Sequence, residues 1–180
     1  MTEVLEKILL RIYHFDASDL VGWGLLAALA VSAVCRRCAG RRWFRRGLWL
    51  GLVLWMAAVL WITLFRRSGG GSHEPCWIPL YTYWKVLGGG NSELLRSCWM
   101  NVALFFPAGL LCGALTGKRR RLGLTATAAL LLSLAIELVQ YRFGLGLAEM
   151  DDVLHNTLGA ALGYGASRLE LIRTPAEKEA

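Results

Sequence analysis

The chain has 180 residues, of which 56% are hydrophobic and only 18% are charged. Soluble domains average roughly 45–50% apolar and about 25% charged residues, so this composition excludes a disordered chain and argues against an ordinary soluble enzyme. The mean hydropathy of +0.44 and the eight Trp residues are typical of a small membrane protein with aromatic residues at its interfaces.

The net charge of +7 comes largely from two short basic stretches that contain no acidic residue. They are Arg36, Arg37, Arg41, Arg42, Arg45 and Arg46, and then Lys118, Arg119, Arg120 and Arg121. Basic loops between apolar runs mark the cytoplasmic side of a membrane protein. We therefore expect no nucleic-acid partner, and a multi-pass membrane protein.

The apolar residues fall into five segments, at 20–35, 47–65, 98–116, 122–141 and 153–167. A membrane-spanning helix needs about 20 residues, so the first and last segments are short. The pattern predicts an all-α polytopic membrane helix bundle of about five transmembrane helices. With five spans, both basic loops lie in the cytoplasm, the N-terminus lies outside and the C-terminus lies inside.

Two further segments flank this bundle. The stripe of Leu5, Ile8, Leu9 and Ile12 predicts an amphipathic interfacial helix within residues 1–19. Residues 75–84, which lie between two glycine runs, are too short to span and too aromatic for a solvated loop, so they predict an interfacial or re-entrant extracellular segment. The transmembrane domain is thus assigned to residues 20–168 and a polar cytoplasmic tail to residues 169–180.

One acidic residue, Glu137, lies within a predicted span. A charge at membrane depth is costly and usually faces the interior of the bundle, where it is a candidate functional residue. Ser133 and Gln140 share its helix face at spacings of four and three residues. This stripe therefore predicts a polar surface inside the bundle.

Other spans carry polar residues near the same membrane face. Asp152 and Asn156 lie on one stripe of the last segment, Asn101 lies near the start of the third, and Arg66 and Arg67 follow the second. At 1.5 Å per residue, Glu137, Asn101 and Asn156 are each roughly 5–7 Å below the outer boundary. The sequence predicts a polar pocket that opens to the outer leaflet, with nothing comparable at the cytoplasmic end.

Five motifs among these residues resemble the VanZ-like family. They are residues 63–67 (TLFRR), 78–80 (IPL), 101–109 (NVALFFPAG), 133–140 (SLAIELVQ) and 151–159 (DDVLHNTLG). The resemblance implies a bacterial integral membrane protein, and the namesake of the family is linked to teicoplanin resistance. Many members carry an Arg-rich stretch with an Asp before the final motif, where this chain has GLGLAEM with Glu149 as its acid.

Three functional hypotheses fit this polar cluster. The first is a binding protein for a lipid-linked cell-envelope component: arginines bind phosphate or carboxylate, and the remaining members bind sugar or amine groups. The predicted binding residues are Arg66, Arg67, Asn101, Ser133, Glu137, Gln140, Asp152 and Asn156. In this hypothesis teicoplanin susceptibility depends on the bound component.

The second hypothesis is a membrane enzyme acting on the same class of lipid, with Glu137 and Asp152 as an acid/base pair or as ligands of a divalent ion. No catalytic motif supports it, so enzymatic activity is left open. The third is a structural or partner subunit in which the polar residues only bind helices to one another, and Gly109, Gly113, Gly159 and Gly163 form close-packing faces. No cofactor or resident metal is expected, and the oligomeric state is left open.

The cysteines add little to this choice. The Cys35-x-x-Cys38 pair has no further zinc ligands nearby and is expected to be a reduced pair. Cys76 and Cys98 both fall on the predicted outer side, where an oxidising environment would allow a disulfide.

Overall fold

The computed structural model describes residues 42–65, 75–89, 93–116 and 121–168, together with Gly22 and Ala30, which are helical. Several predictions lie outside these described residues: the N-terminal amphipathic helix, most of the first apolar segment, the Cys35–Cys38 pair, Arg66 and Arg67, and the tail at 169–180. The domain bounds at those positions remain predictions.

Five α-helices form the described part of the chain. They are α1 (Arg42–Leu60, continued by a π-helical segment, Trp61–Phe65), α2 (Tyr81–Leu87), α3 (Glu93–Thr116), α4 (Leu122–Phe143) and α5 (Met150–Ala166). The described residues contain no strand, only one isolated bridge between Cys76 and Glu149. The predicted all-α class is confirmed for the described residues. Its physical reason is that Leu- and Ala-rich runs of this length favour helix.

Three of these helices are long and apolar enough to cross a membrane. They are residues Arg42–Leu64, Leu94–Thr116 and Leu122–Phe143, with mean hydropathies of 2.1, 1.7 and 2.0. The fourth long helix, α5, has 17 residues and begins with two acidic residues in its first turn. The described residues therefore give three candidate spans where the sequence predicts five, because α5 is short and the first segment lies largely outside the described residues.

Helices α1 and α3 start earlier than the corresponding apolar segments do. Helix α1 begins at Arg42, so Arg42, Arg45 and Arg46 lie in its first turns rather than in a loop. Helix α3 begins at Glu93 rather than at Cys98. Long basic and acidic side chains are good helix formers, and hydrophobicity alone does not show where a helix begins.

The most extensive packing is between α3 and α5, which run parallel. A Cβ atom at Gly159 would collide with the backbone of Val102, and one at Gly163 would collide with the backbone of Phe106. Gly109 approaches the backbone of Ala160 in the same way. The predicted close-packing role of these glycines is confirmed, and it brings the first halves of α3 and α5 to the same level.

Helices α1 and α4 complete the bundle. Trp55 of α1 donates its indole N–H to the carbonyl of Leu104 in α3, at 3.0 Å. Val59, Phe105 and Ile136, one from each of α1, α3 and α4, form part of one buried apolar core. The contacts place the ends of α1 and α4 beside the starts of α3 and α5, and we call this the polar end of the bundle.

A segment that we call the strap, residues 76–87, crosses the polar end. Cys76 accepts the N–H of Met150 and donates its own N–H to the carbonyl of Ala148, each at 2.9 Å. Leu80 has a φ of 60°, a left-handed conformation that non-glycine residues rarely adopt. The second half of the strap is helix α2, which contacts α3.

Candidate functional site: a buried polar cluster at one end of the bundle

The polar end gathers side chains from α3, α4 and α5 and a backbone carbonyl from the end of α1. At 1.5 Å per residue, Asn101 is about 12 Å after the start of α3, Glu137 is about 9 Å before the end of α4, and Asn156 is about 9 Å after the start of α5. They are deeper than the sequence indicated because the helices extend beyond the apolar segments. They nevertheless share a common level.

Two residues of α4 bind backbone groups of neighbouring segments. The Glu137 carboxylate accepts the backbone N–H of Glu149 at 3.0 Å, just before α5 begins. Gln140 donates its side-chain N–H to the carbonyl of Thr63 at 2.8 Å, within the π-helical end of α1. Both side chains are fully buried, so each connects α4 to another helix through a group that has little access to water.

Asn156 of α5 and Asn101 of α3 are different, because each has a polar atom that the structure leaves unbonded. Asn156 donates Nδ2–H to the hydroxyl of Ser133 at 2.7 Å, but its Oδ1 is buried without a hydrogen-bond partner. The Nδ2 of Asn101 is likewise buried without a partner. The cluster thus contains one unpaired acceptor and one unpaired donor at a similar level.

Asp151, which precedes the predicted site residue Asp152, holds the strap in place. It is not among the site residues predicted from the sequence. One carboxylate oxygen accepts the N–H of Thr82 at 2.8 Å, and the other accepts the N–H of Leu80. Asp151 is buried, in the first turn of α5, where the helix dipole also favours a negative charge. Asp151 and His155 are four residues apart and therefore share a helix face, which was the sequence signal for this contact. The predicted site instead contains Asp152 and Asn156 of the neighbouring face.

His155 connects the same turn of α5 to Tyr83 of the strap. Its Nδ1 contacts the carbonyl of Asp151, which can only accept, so Nδ1 carries a proton. In a neutral ring Nε2 then accepts the Tyr83 hydroxyl proton, over 2.8 Å. Burial raises the pKa of the Tyr83 hydroxyl above its usual value of 10, and nearby Cys98 and Asp151 raise it further.

Asp152 and the two cysteines predicted on the outer side also lie at the polar end. Asp152 is buried in the first turn of α5. Cys98 is buried and forms a side-chain hydrogen bond with Thr82 of the strap. Cys76 and Cys98 are both free thiols. Within the described residues no three His, Cys, Asp or Glu side chains are grouped as metal ligands.

A second polar cluster lies at the opposite end of the bundle, contrary to the sequence-based expectation. The Tyr164 hydroxyl accepts the backbone N–H of Arg121 and a guanidinium N–H of Arg168, each at 2.7 Å. Arg168 also donates to the hydroxyl of Thr116 at 2.8 Å. The expectation was wrong because Tyr164 and Thr116 come from spans counted as apolar, and their polar atoms meet only in the folded bundle.

These features define the class of the protein: an all-helical membrane protein with a buried polar cluster at one end. The model of the VanZ/LLP1 family matches residues 47–172, more than two thirds of the chain. The chain therefore belongs to the VanZ-like family, and the resemblance seen in its motifs is confirmed. No curated protein and no solved structure matches it significantly.

Proposed function

We propose that this VanZ-like protein binds the polar head of a lipid-linked cell-envelope component at the polar end, from the outer leaflet of a bacterial plasma membrane. The observation that carries the proposal is the unpaired Asn101 donor and Asn156 acceptor. Buried polar groups almost always have a hydrogen-bond partner, so two buried polar atoms without one call for a ligand or a bound water.

The chemistry of the pair supports a sugar or amide group as its partner. A hydroxyl or a secondary amide both donates and accepts, which matches a site that offers one unpaired side-chain oxygen and one unpaired N–H. Arg66 and Arg67 directly follow the segment that Gln140 binds through Thr63. In the proposal these arginines bind the phosphate that links the sugar to its lipid, as Arg favours bidentate pairing.

The alternative in which the polar residues only bind helices together accounts for part of the cluster. Glu137, Gln140 and Ser133 have protein partners in neighbouring elements. It does not account for the unpaired Nδ2 of Asn101 and the unpaired Oδ1 of Asn156, because polar atoms that serve only to join helices would be bonded to a neighbouring helix. The two amides therefore distinguish the proposals.

Binding of an undecaprenyl-pyrophosphate-linked disaccharide to the full chain in nanodiscs tests the proposal. We expect the wild type to bind it more tightly than undecaprenyl phosphate, and Asn156→Leu to weaken binding at least tenfold. Thr157→Val is the matched control, because Thr157 bonds only within its own helix, to the carbonyl of Val153. Equal affinity of wild type and Asn156→Leu contradicts the proposal.

The same assay addresses the enzyme hypothesis, in which Glu137 and Asp152 act as an acid/base pair. Chromatography of the lipid after incubation would reveal a changed headgroup, and Glu137→Gln would abolish the change. Teicoplanin susceptibility of cells that express wild type or Asn156→Leu shows whether the bound component affects that antibiotic. A difference between these strains is expected only if the component is a glycopeptide target or its precursor.

The orientation is tested by cysteine accessibility in intact cells. Single cysteines at Ser68, Glu149 and Gly117, in a chain without other cysteines, are treated with an impermeant reagent. Labelling at Ser68 and Glu149 but not at Gly117 is the expected result, since the basic stretches belong to the cytoplasmic side. The reverse pattern would place the polar end at the cytoplasmic face. Its ligand would then be a cytoplasmic molecule rather than an envelope lipid.

A further inference from the structure

The strap has two chemically different faces. Its inner face contacts α5 and α3 through Thr82, Tyr83 and the backbone of Cys76. Its other face is apolar and uncovered: Trp84 is 69% exposed and Leu87 is 81% exposed. A segment held this firmly on one side does not expose Trp and Leu to water without a use.

The neighbouring helix ends carry exposed aromatic residues at the same end of the bundle. Trp61 lies just beyond the end of α1, Trp99 lies in the second turn of α3, and Tyr141 and Phe143 lie at the end of α4. Trp and Tyr concentrate where a membrane protein meets the lipid–water interface. The exposed face of the strap continues this aromatic belt.

We propose that the strap lies in the lipid–water interface at the polar end, with Trp84 and Leu87 inserted among the lipids. The interface is favoured over a transmembrane position because α2 has only seven residues, about 10 Å at 1.5 Å per residue, whereas the hydrocarbon core is about 30 Å thick. Exposed Lys85 on the same helix is also compatible with the interface, where its amine reaches water or a lipid phosphate.

Spin labelling of the full chain in phosphatidylcholine–phosphatidylglycerol nanodiscs tests this assignment. Nitroxides are placed at position 84 or 87 in a variant whose five cysteines are replaced by serine. Leu131, exposed in the middle of α4, is the hydrocarbon reference, and a free nitroxide in buffer is the aqueous reference. Thermal melting confirms that each variant is folded, which is expected because the labelled side chains are exposed.

We expect both strap labels to be accessible to oxygen and at least tenfold less accessible to a water-soluble nickel chelate than the free nitroxide. Their nickel accessibility should exceed that at Leu131, because the interface is shallower. Nickel accessibility equal to that of the free nitroxide would overturn the assignment in favour of a solvated strap. Low accessibility to both reagents would also overturn it, and would indicate contact with another protein.

Discussion

Asp151 is the residue on which the position of the strap depends most directly. Its carboxylate accepts two backbone N–H groups, and it holds Leu80 in a conformation that is unfavourable for a side chain. Hydrogen bonds to a charged group contribute about 1.5–3 kcal/mol. The two hydrogen bonds to the carboxylate therefore offset the backbone strain at Leu80.

Asp151→Asn removes the charge and one of the two accepting oxygens. We expect hydrogen exchange at the Leu80 and Thr82 amides to accelerate about 10–100-fold, the equivalent of losing one charge-assisted bond. Leu80→Gly is the control, because glycine adopts a φ of 60° without strain, and it should leave exchange at Thr82 nearly unchanged. Unchanged exchange in Asp151→Asn would mean that the strap is held by its other contacts.

Tyr83 gives the strap a dependence on alkaline pH. Its pKa is raised in the folded protein, so below pH 10 both the folded and the unfolded chain keep the proton and stability is unaffected. Above pH 10 the unfolded chain loses the proton first, and stability falls as the pH rises through the folded pKa. Thermal melts from pH 8 to 11 should therefore decline less steeply for Tyr83→Phe than for wild type.

The glycines of α5 divide into those in contact with α3 and those that face outward. Gly163→Ala places a methyl group against the backbone of Phe106, and we expect it to destabilise the fold by about 1–3 kcal/mol. Gly165→Ala meets no atom within 4 Å and should be neutral or stabilising by up to about 1 kcal/mol. Unfolding in SDS measures both, and equal stabilities would contradict the tight α3–α5 contact.

Among the helices, α1 is joined to α4 at the polar end by a hydrogen bond, in which the carbonyl of Thr63 in its π-helical segment accepts the side-chain N–H of Gln140. Gln140→Leu keeps a similar volume but leaves this carbonyl without its side-chain donor. We expect a loss of about 1–3 kcal/mol in SDS unfolding. Val139→Leu, at the partly buried neighbouring position, is the control and should change stability by less than about 1.5 kcal/mol.

The long helices were predictable in type but not in extent, and the five spans expected from the sequence compare with three candidate spans in the described residues. Runs such as 122–141 are apolar throughout, and α4 occupies almost the whole of that run. The beginnings of α1 and α3 were missed because charged residues such as Arg42 and Glu93 continue a helix beyond its hydrophobic part. Segment 75–84 was recognised as unusual, but the helix within it was not, since Leu80 and Asp151 are 71 positions apart.

For the molecule as a whole, spacing along one helix predicted which site residues share a face. Ser133, Glu137 and Gln140 are all buried, as their spacing indicated. Contacts between helices were not predictable, because they depend on the register that Gly159 and Gly163 set against α3. For the same reason neither the strap contact of Asp151 nor the cluster around Tyr164 at the opposite end was foreseen.

The parallel contact between α3 and α5 also dictates when the polar end can form during synthesis. Helix α4 must cross the membrane in the opposite direction before α5 exists, so the glycine faces of α3 have no partner until the last long helix has emerged. Until then the strap lacks Asp151, which accepts the N–H groups of Leu80 and Thr82, and the polar end lacks Asn156. A chain that ends before residue 150 therefore lacks the glycines that pack against α3 and the carboxylate that holds the strap, and it cannot complete the polar end.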